Sequence, residues 1–460
     1  MEECERKMIM LLKQLVINGL HDNYDYDVKF NDDVTFIYGM NGCGKTTVLN
    51  ITEAIITGRV YRLLDYKFKE ITLWYSTSSH KKKQCISAKR KDEGIHVTFA
   101  EENAVIRNLL REREMPSNFD LDDVDRVFFT QYPVLKKIKD NFNHAYLPLN
   151  RSTHFENDNI IFKIQRNLRY HADNRAIMSN QDIVMLKVEE LIRRKYSEIM
   201  SEIAQYNIEF RNEILKSLLT VNKGNSVLEA LDAIGLDNIE ENEIKRIKEN
   251  YIKILKQLNI IKAEEEKTYR ESFDGFINEY KVWKNSNNKK ESIISLTSQY
   301  TEILRLQTLV SIAERAEKKK NEAYKSIETF VATINSFIDD EIDEKRIHIS
   351  ANGEVYFTIR NTEQWLKINS LSSGEKQLVI FFASLIFEIQ KDTTGIFIVD
   401  EPELSLHLSW QSEFVKKALD LNENIQLIFA THSPEIVGKY RNKMFKLERK
   451  ISSKETGSDA

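Results

Sequence analysis

The chain has 460 residues, 41% of them apolar and 30% charged, enough for two or three ordinary domains or for one domain with a large insertion. With 67 basic against 71 acidic side chains its net charge is −4, so nothing draws the whole molecule to nucleic acid and any such contact has to come from a local patch. Three scattered cysteines, Cys4, Cys43 and Cys85, argue against a disulfide framework, no apolar run reaches the roughly 18–20 residues of a membrane span, and the start MEECERKM is too charged for a secretion signal, so the expected location is cytoplasmic, with no membrane partner.

The first hundred residues predict a β-rich lobe. Leu11 to Ile17 and Tyr24 to Phe30 read as strands joined by a polar turn at His21, Asp22 and Asn23. The alternation of Tyr24, Asp25, Tyr26, Asp27 and Val28 suits a half-buried strand, and its aromatics either pack in the sheet or approach an adenine face. Residues 34 to 47, VTFIYGMNGCGKTT, follow. A β-branched and aromatic run leads into Gly39, Met40, Asn41, Gly42, Cys43, Gly44, Lys45 and Thr46, which match G-x-x-x-x-G-K-[ST]. Glycines at these positions let backbone N–H groups wrap a phosphate, and the helix that starts near Thr46 adds the positive end of its dipole. Lys45 then bridges the β- and γ-phosphates while the Thr46 hydroxyl ligates Mg²⁺.

The helix runs to Thr57 and stops at Gly58. Ile71 to Tyr75, Gln84 to Ala88 and Ile95 to Phe99 predict a small antiparallel sheet. Its basic residues, Lys81, Lys82, Lys83, Lys89, Arg90 and Lys91, either touch phosphates or decorate a solvated hairpin. Val127 to Gln131 and Ala145 to Leu147 read as strand pieces, which leaves Gln131 and Arg151 as equal candidates for sensing the γ-phosphate. From about Asn159 to Asp340 glycine and proline nearly vanish and helical spacing takes over. Val184, Leu186, Val188, Leu191 and Ile192 mark one helix, and Tyr324, Ile327, Val331, Ile334 and Ile338 mark another. This stretch reads as an insertion of antiparallel helices, without the cysteines of a zinc hook.

The last 120 or so residues carry chemistry again. Asn352-Gly353 is a hairpin signal between Arg346 to Ser350 and Glu354 to Ile359. LSSGEKQ (Leu371 to Gln377) opens an apolar helix, Gly395 to Val399 forms a strand ending in Asp400, Glu401, Pro402 and Glu403, and Ile425 to Ala430 forms another ending in Thr431, His432, Ser433 and Pro434. Asp400 at a strand end suits Mg²⁺ through water beside the phosphate loop. Glu401 suits a general base for the attacking water, and His432 a γ-phosphate contact. The Ser372 hydroxyl and Gly374 N–H, at a second helix N-terminus, suit an anion. Since the chain already has one phosphate-binding helix end, the second is expected to face the nucleotide of a partner molecule.

GMNGCGKTT, LSSGEK, FIVDEPELSLH and THSP resemble the Walker A, signature, Walker B plus D-loop, and H-loop motifs of ABC-type ATPases. DEPELSLH followed by THSP resembles the branch related to the overcoming-lysogenization-defect (OLD) proteins; His407 stands where transporter ATPases more often have Asp, and Ser373 where they have Gly. GLHDNYDYDVKFNDDVTFIYGMNG, AYLPLNR, the helical insert and INSFIDD to SSGEKQL extend the likeness to the AriA-type ATPases of PARIS anti-phage systems, with Septu PtuA-type ATPases as a near branch.

The resemblance implies an α/β fold: an ABC-type P-loop ATPase head, with a mixed sheet, helices and an antiparallel β-lobe, interrupted by an inserted helical or coiled-coil domain. The expected divisions are residues 1–155 and 341–450 for the two halves of the head, 156–340 for the insertion and 451–460 for a polar tail. Two heads sandwich ATP and Mg²⁺. Gly39, Asn41, Gly42, Gly44, Lys45, Thr46 and Thr47 of one head bind the nucleotide, with Asp400 on the metal and Glu401 and His432 catalytic. Ser372, Gly374 and Glu375 come from the other head. Homo-oligomers built from such pairs and from helical contacts are expected. Because 28 residues follow His432, a nuclease is expected as a separate TOPRIM-type, AriB-like effector, released when a phage trigger protein is sensed. The rival expectation is a DNA-repair ATPase resembling RecF or Rad50, for which the basic hairpin is the best support.

Overall fold

The computed structural model describes residues 10–77, 80–107, 121–147, 180–219, 241–257, 261, 263–285, 293–339, 345–359, 365–389, 394–422 and 424–451. In chain order the elements are strands β1 (Met10–Leu20), β2 (Tyr24–Lys29) and β3 (Val34–Tyr38), helix α1 (Lys45–Ile56), and strands β4 (Glu70–Thr77), β5 (His80–Lys91), β6 (Gly94–Phe99) and β7 (Glu102–Ile106). Helices α2 (Leu121–Gln131) and α3 (Pro133–Asn141) precede strand β8 (Asn143–Leu147). Four helices follow: α4 (Asn180–Leu219), α5 (Glu241–Gln257), α6 (Ala263–Lys284) and α7 (Ile293–Ile338). The chain continues through β9 (Arg346–Ile349), β10 (Val355–Thr358), β11 (Leu366–Lys367), α8 (Ser373–Phe387), β12 (Gly395–Asp400), α9 (Leu408–Leu421), β13 (Ile425–Ala430), α10 (Pro434–Val437), β14 (Met444–Lys446) and β15 (Lys450–Ile451).

The fold is α/β, a parallel central sheet with helices beside an antiparallel β-lobe. Its central sheet has the order β14-β3-β13-β12-β8 and is parallel throughout among the described strands. The sequences dictate that position: GIFIVD of β12 and IQLIFA of β13 are buried at every residue, as strands covered on both faces must be. The antiparallel lobe, order β15-β2-β1-β4-β5-β6-β7, alternates instead, with every second residue of β4 buried. α1 lies between the two sheets, where Leu49, Ile51 and Ile55 share one apolar core with Leu15, Ile17 and Leu73 of the lobe and Ile398 and Ile428 of the central sheet.

Two polar features cross this core. Gln426, fully buried on β13, accepts from the Leu12 N–H (2.9 Å) and donates to the Leu12 and Asn31 carbonyls (2.8 and 2.6 Å), pairing backbone groups of the lobe next to the β1 irregularity between Leu12 and Gln14. Arg59, just past α1, donates to both oxygens of Asp125 on α2, with Glu53 and Tyr61 beside them. Burial disfavours the Arg59 charge, yet the Asp125 carboxylate holds its pKa above the ordinary arginine value.

That pair accounts for one departure from the sequence reading. Val127 to Gln131 is the end of helix α2 and not a strand. Buried Asp125 and Phe128 sit three residues apart on one helical face, Phe128 stacking on Tyr61 at 4.3 Å. Gln131 is therefore an exposed helix end, which removes it as a strand-end γ-phosphate sensor, while Arg151 lies outside the described residues.

The chain forms two compact units, residues 1–196 with 328–460, and residues 197–327. Within the second, α4 and α7 run antiparallel, with Glu209 on Lys319 (3.2 Å) and Glu213 on Arg315 (3.5 Å). α5 and α6 do the same through Lys248–Asp274 and Lys256–Glu266. Within the first, Phe330 and Phe337 near the end of α7 meet Phe387 and Phe382 of α8. The buried stripe of α7 runs through Ile327, Phe330, Ile334 and Ile338, whereas Val331 is only half-buried. α8 is buried almost all round, so its stem is core and only its N-terminal end serves the surface.

Candidate nucleotide-binding site

The loop between β3 and α1 is shaped by two glycines in the left-handed region, Gly42 (φ 75°) and Gly44 (φ 102°). A Cβ at Gly44 would stand 2.7 Å from the Tyr26 hydroxyl, which itself donates to the Cys43 carbonyl at 3.0 Å. Tyr26 thus supports the phosphate loop from below, and Arg449 reaches the same carbonyl at 3.3 Å while lying over the Tyr24 ring. This favours support and packing for the two tyrosines over an open adenine-facing surface. No side chain caps the start of α1 and no acidic residue lies in its first turn, so the amides of Lys45, Thr46 and Thr47 open the helix as an anion site.

The buried Lys45 ammonium is 3.4 Å from the Gly39 carbonyl and 2.6 Å from Nε2 of His432. One residue on, the Thr46 hydroxyl donates to Oδ2 of Asp400 at 2.7 Å. The other Asp400 oxygen, Oδ1, is buried without a hydrogen-bond partner. Burial pushes the Asp400 carboxyl up to about 6, the Thr46 hydroxyl pulling the other way. A hydroxyl and a carboxylate with an orphaned oxygen are hard donors that suit Mg²⁺. Among the described residues no cluster of three or more acidic, histidine or cysteine side chains forms a metal cage.

Glu401 follows with φ 48°, a strained conformation for a residue with a side chain, fixed by its N–H bond to the Ala430 carbonyl (2.8 Å). Glu403 accepts from the Thr431 hydroxyl (2.8 Å) and from the His432 N–H (2.7 Å), so the turn after β12 grips the end of β13. Gln411 accepts from the Ser433 hydroxyl (2.6 Å) and donates to the Leu406 carbonyl (2.9 Å). The sequence places Tyr26 in a half-buried strand but gives no sign of its bond to the Cys43 carbonyl, nor of the roles of Glu403 and Gln411. The one available signal was the second carboxylate of DEPE; the partners lie across the fold.

At the start of α8, Ser372 is the N-cap and forms a capping box with Glu375. The Glu375 carboxylate accepts from the Ser372 N–H (2.7 Å) and from Lys345 (3.0 Å), so its task in this chain is internal. A Cβ at Gly374 would fall 2.5 Å from the Ser405 carbonyl oxygen, and Gln377 donates to the Pro402 carbonyl (3.0 Å), so the D-loop is packed directly on this helix end. The structure therefore brings Lys45 onto His432 and Thr46 onto Asp400, packs Gly374 against the turn after β12, and keeps Ser372 and Glu375 in the helix cap. Of the basic hairpin, Lys89 pairs with Glu70 and Arg90 donates to the Leu63, Leu64 and Tyr66 carbonyls. The Lys81 and Lys82 side chains lie outside the described residues.

The model of the family described as "AAA domain, putative AbiEii toxin, Type IV TA system" matches residues 34–438. The chain belongs to this family. Its AAA-domain relatives include the Retron Vc95 probable ATPase of Vibrio cholerae serotype O1 biovar El Tor, 28% identical over 193 residues, 39% of this chain and 37% of that protein. Septu protein PtuA of Bacillus mycoides is 30% identical over 133 residues, 27% of this chain and 18% of that one. Endonuclease GajA of Bacillus cereus is 20% identical over 443 residues, 89% of this chain and 53% of that one. The chain spans about half or less of the length of these relatives.

Proposed function

We propose that this chain is the ATP-hydrolysing sensor and scaffold subunit of a bacterial anti-phage defence system, of the AriA type, which holds a separate TOPRIM-type nuclease inactive and releases it when a phage protein is sensed. The observation that carries the ATPase part is the convergence of Lys45 on His432 and of Thr46 on Asp400, residues up to 387 positions apart. Similarity to a probable ATPase named for a retron and to a protein named for Septu supports the defence part.

The α1 amides and Lys45 hold the phosphates, and Lys45 exchanges its His432 contact for phosphate oxygen. Mg²⁺, when bound at Thr46 and Asp400, draws charge off the phosphate oxygens. Glu401 accepts the proton of the attacking water; the water oxygen bonds to the γ-phosphorus as the bond to the β–γ bridging oxygen breaks, giving ADP and phosphate. His432 then contacts the transferred group. Ser372 and Gly374 come from a second copy. Support for a covering copy comes from the apolar side chains the loops expose: Met40 at 84%, Leu404 at 41% and Leu408 at 62%.

Coexpression with the neighbouring gene tests the scaffold role. A second, nuclease polypeptide that copurifies and leaves when a phage trigger is added is the expected result. An assembly that takes up DNA in a salt-sensitive manner and holds no second polypeptide would support the repair reading instead.

A further inference from the structure

Glu401 and His432 stand on different strand ends, β12 and β13, and both need a fixed place relative to one phosphate. The last backbone bond between the β12 and β13 ends runs from the Glu401 N–H to the Ala430 carbonyl, so among the described residues no backbone bond joins the turn after Glu401 to Thr431 and His432. A side chain takes over. Glu403, on the turn that carries Glu401, folds back onto β13 and accepts two hydrogen bonds, from the Thr431 hydroxyl at 2.8 Å and the His432 main-chain N–H at 2.7 Å. We propose that Glu403 is a positioning residue for ATP hydrolysis, which locks the backbone bearing His432 to the turn bearing Glu401 so that both reach the γ-phosphate together.

Three observations support this. Carboxylate acceptors make short, strong bonds, and both Glu403 oxygens are used, so this carboxylate is a clamp and not a spare base. The Glu401 carboxylate makes no hydrogen bond among the described residues, which leaves it for water. The clamped turn is also tied outward. Gln377 of α8 donates to the Pro402 carbonyl, Gly374 admits the Ser405 carbonyl that a Cβ would meet at 2.5 Å, and Gln411 links the Leu406 carbonyl to the Ser433 hydroxyl. The end of α8, which the proposed sandwich presses against a second copy, is thus connected through the 402–406 turn and Glu403 to His432. A shift of α8 on closure moves the base and the histidine as one piece. The inference rests on the ATPase reading of the site and adds the part that keeps its two catalytic groups in register.

The test uses the full chain with Glu403→Ala, Glu403→Gln and Thr431→Val. Steady-state hydrolysis is measured with Mg²⁺–ATP, and amide hydrogen exchange is followed over residues 430–437 in nucleotide-free protein. Losing the clamp should lower kcat by about ten- to a hundredfold in Glu403→Ala, the scale of a misplaced catalytic group, with KM for ATP unchanged within about twofold. Exchange over residues 430–437 should accelerate while the melting temperature stays near wild type. Glu403→Gln should recover most of kcat, since its carbonyl still accepts from the His432 N–H and its amide donates to the Thr431 hydroxyl. Thr431→Val, losing one bond of the two, should fall between. Wild-type kcat in Glu403→Ala overturns the inference while leaving the ATPase reading intact. So does an equal loss in the Ala and Gln variants with a lowered melting temperature, which marks a merely structural role. If wild-type protein turns over no ATP although exchange still responds to Glu403→Ala, the ATPase reading itself falls, and the positioning role with it.

Discussion

At the level of single residues, the site depends on contacts too close to be incidental. Among the described residues the Lys45 ammonium contacts the Gly39 carbonyl and His432 and forms no salt bridge, with the Asp400 carboxylate near enough to feel its charge. Its charge can therefore take an anion. Lys45→Ala should weaken ATP binding by about 100-fold, the loss of one charged hydrogen bond of about 3 kcal/mol. Equilibrium binding of a fluorescent ATP analogue measures this, and an unchanged affinity would remove the loop from the account. Residues of this kind are legible in sequence because their spacing is local: a glycine loop, a lysine and a threonine in one short run. Asp400, Glu401 and His432 are legible for a related reason, since each closes an apolar strand with an abrupt change of character. Glu403 and Tyr26 are not. They act through main-chain atoms of Cys43 and His432, which no side-chain pattern records.

At the level of elements, the strands of the central sheet could be read directly, because β12 and β13 are uninterrupted apolar runs bounded by polar turns. α2 was misread since VFF has strand chemistry, and its helical state is enforced by Asp125 meeting Arg59 across 66 residues. Phe330 was missed in the α7 stripe because its partner, Phe387, lies in another element. Gln426 is the sharpest case: a polar residue within a core strand, explained only by the two lobe carbonyls and one N–H that it satisfies. Gln426→Leu would leave those groups buried and unpaired. It should cost about 3 kcal/mol. Urea unfolding of the nucleotide-free protein checks the value, and a loss below about 0.5 kcal/mol would mean that the amide is not what joins the two sheets.

At the scale of the molecule, the head is assembled from both ends of the chain, β3 pairing with β13 and β14 in one parallel sheet. Composition announced the helical stretch between them, through its loss of glycine and proline. The compact-unit boundaries fall inside α4 and α7, where helical spacing continues without a break, so no local signal marks them. The same head leaves Met40 of the phosphate loop, Leu404 of the turn after β12 and Leu408 at the start of α9 exposed. One copy is therefore half of the proposed site. The most direct test is the native mass of Glu401→Gln with Mg²⁺–ATP. Removal of the base should leave nucleotide binding intact and stop turnover, so the account predicts paired copies that retain two uncleaved ATP per pair, and dissociation of those pairs when ATP is withdrawn. A variant that stays single with ATP bound, or that converts ATP to ADP as wild type does, would contradict the shared site and the role given to Glu401.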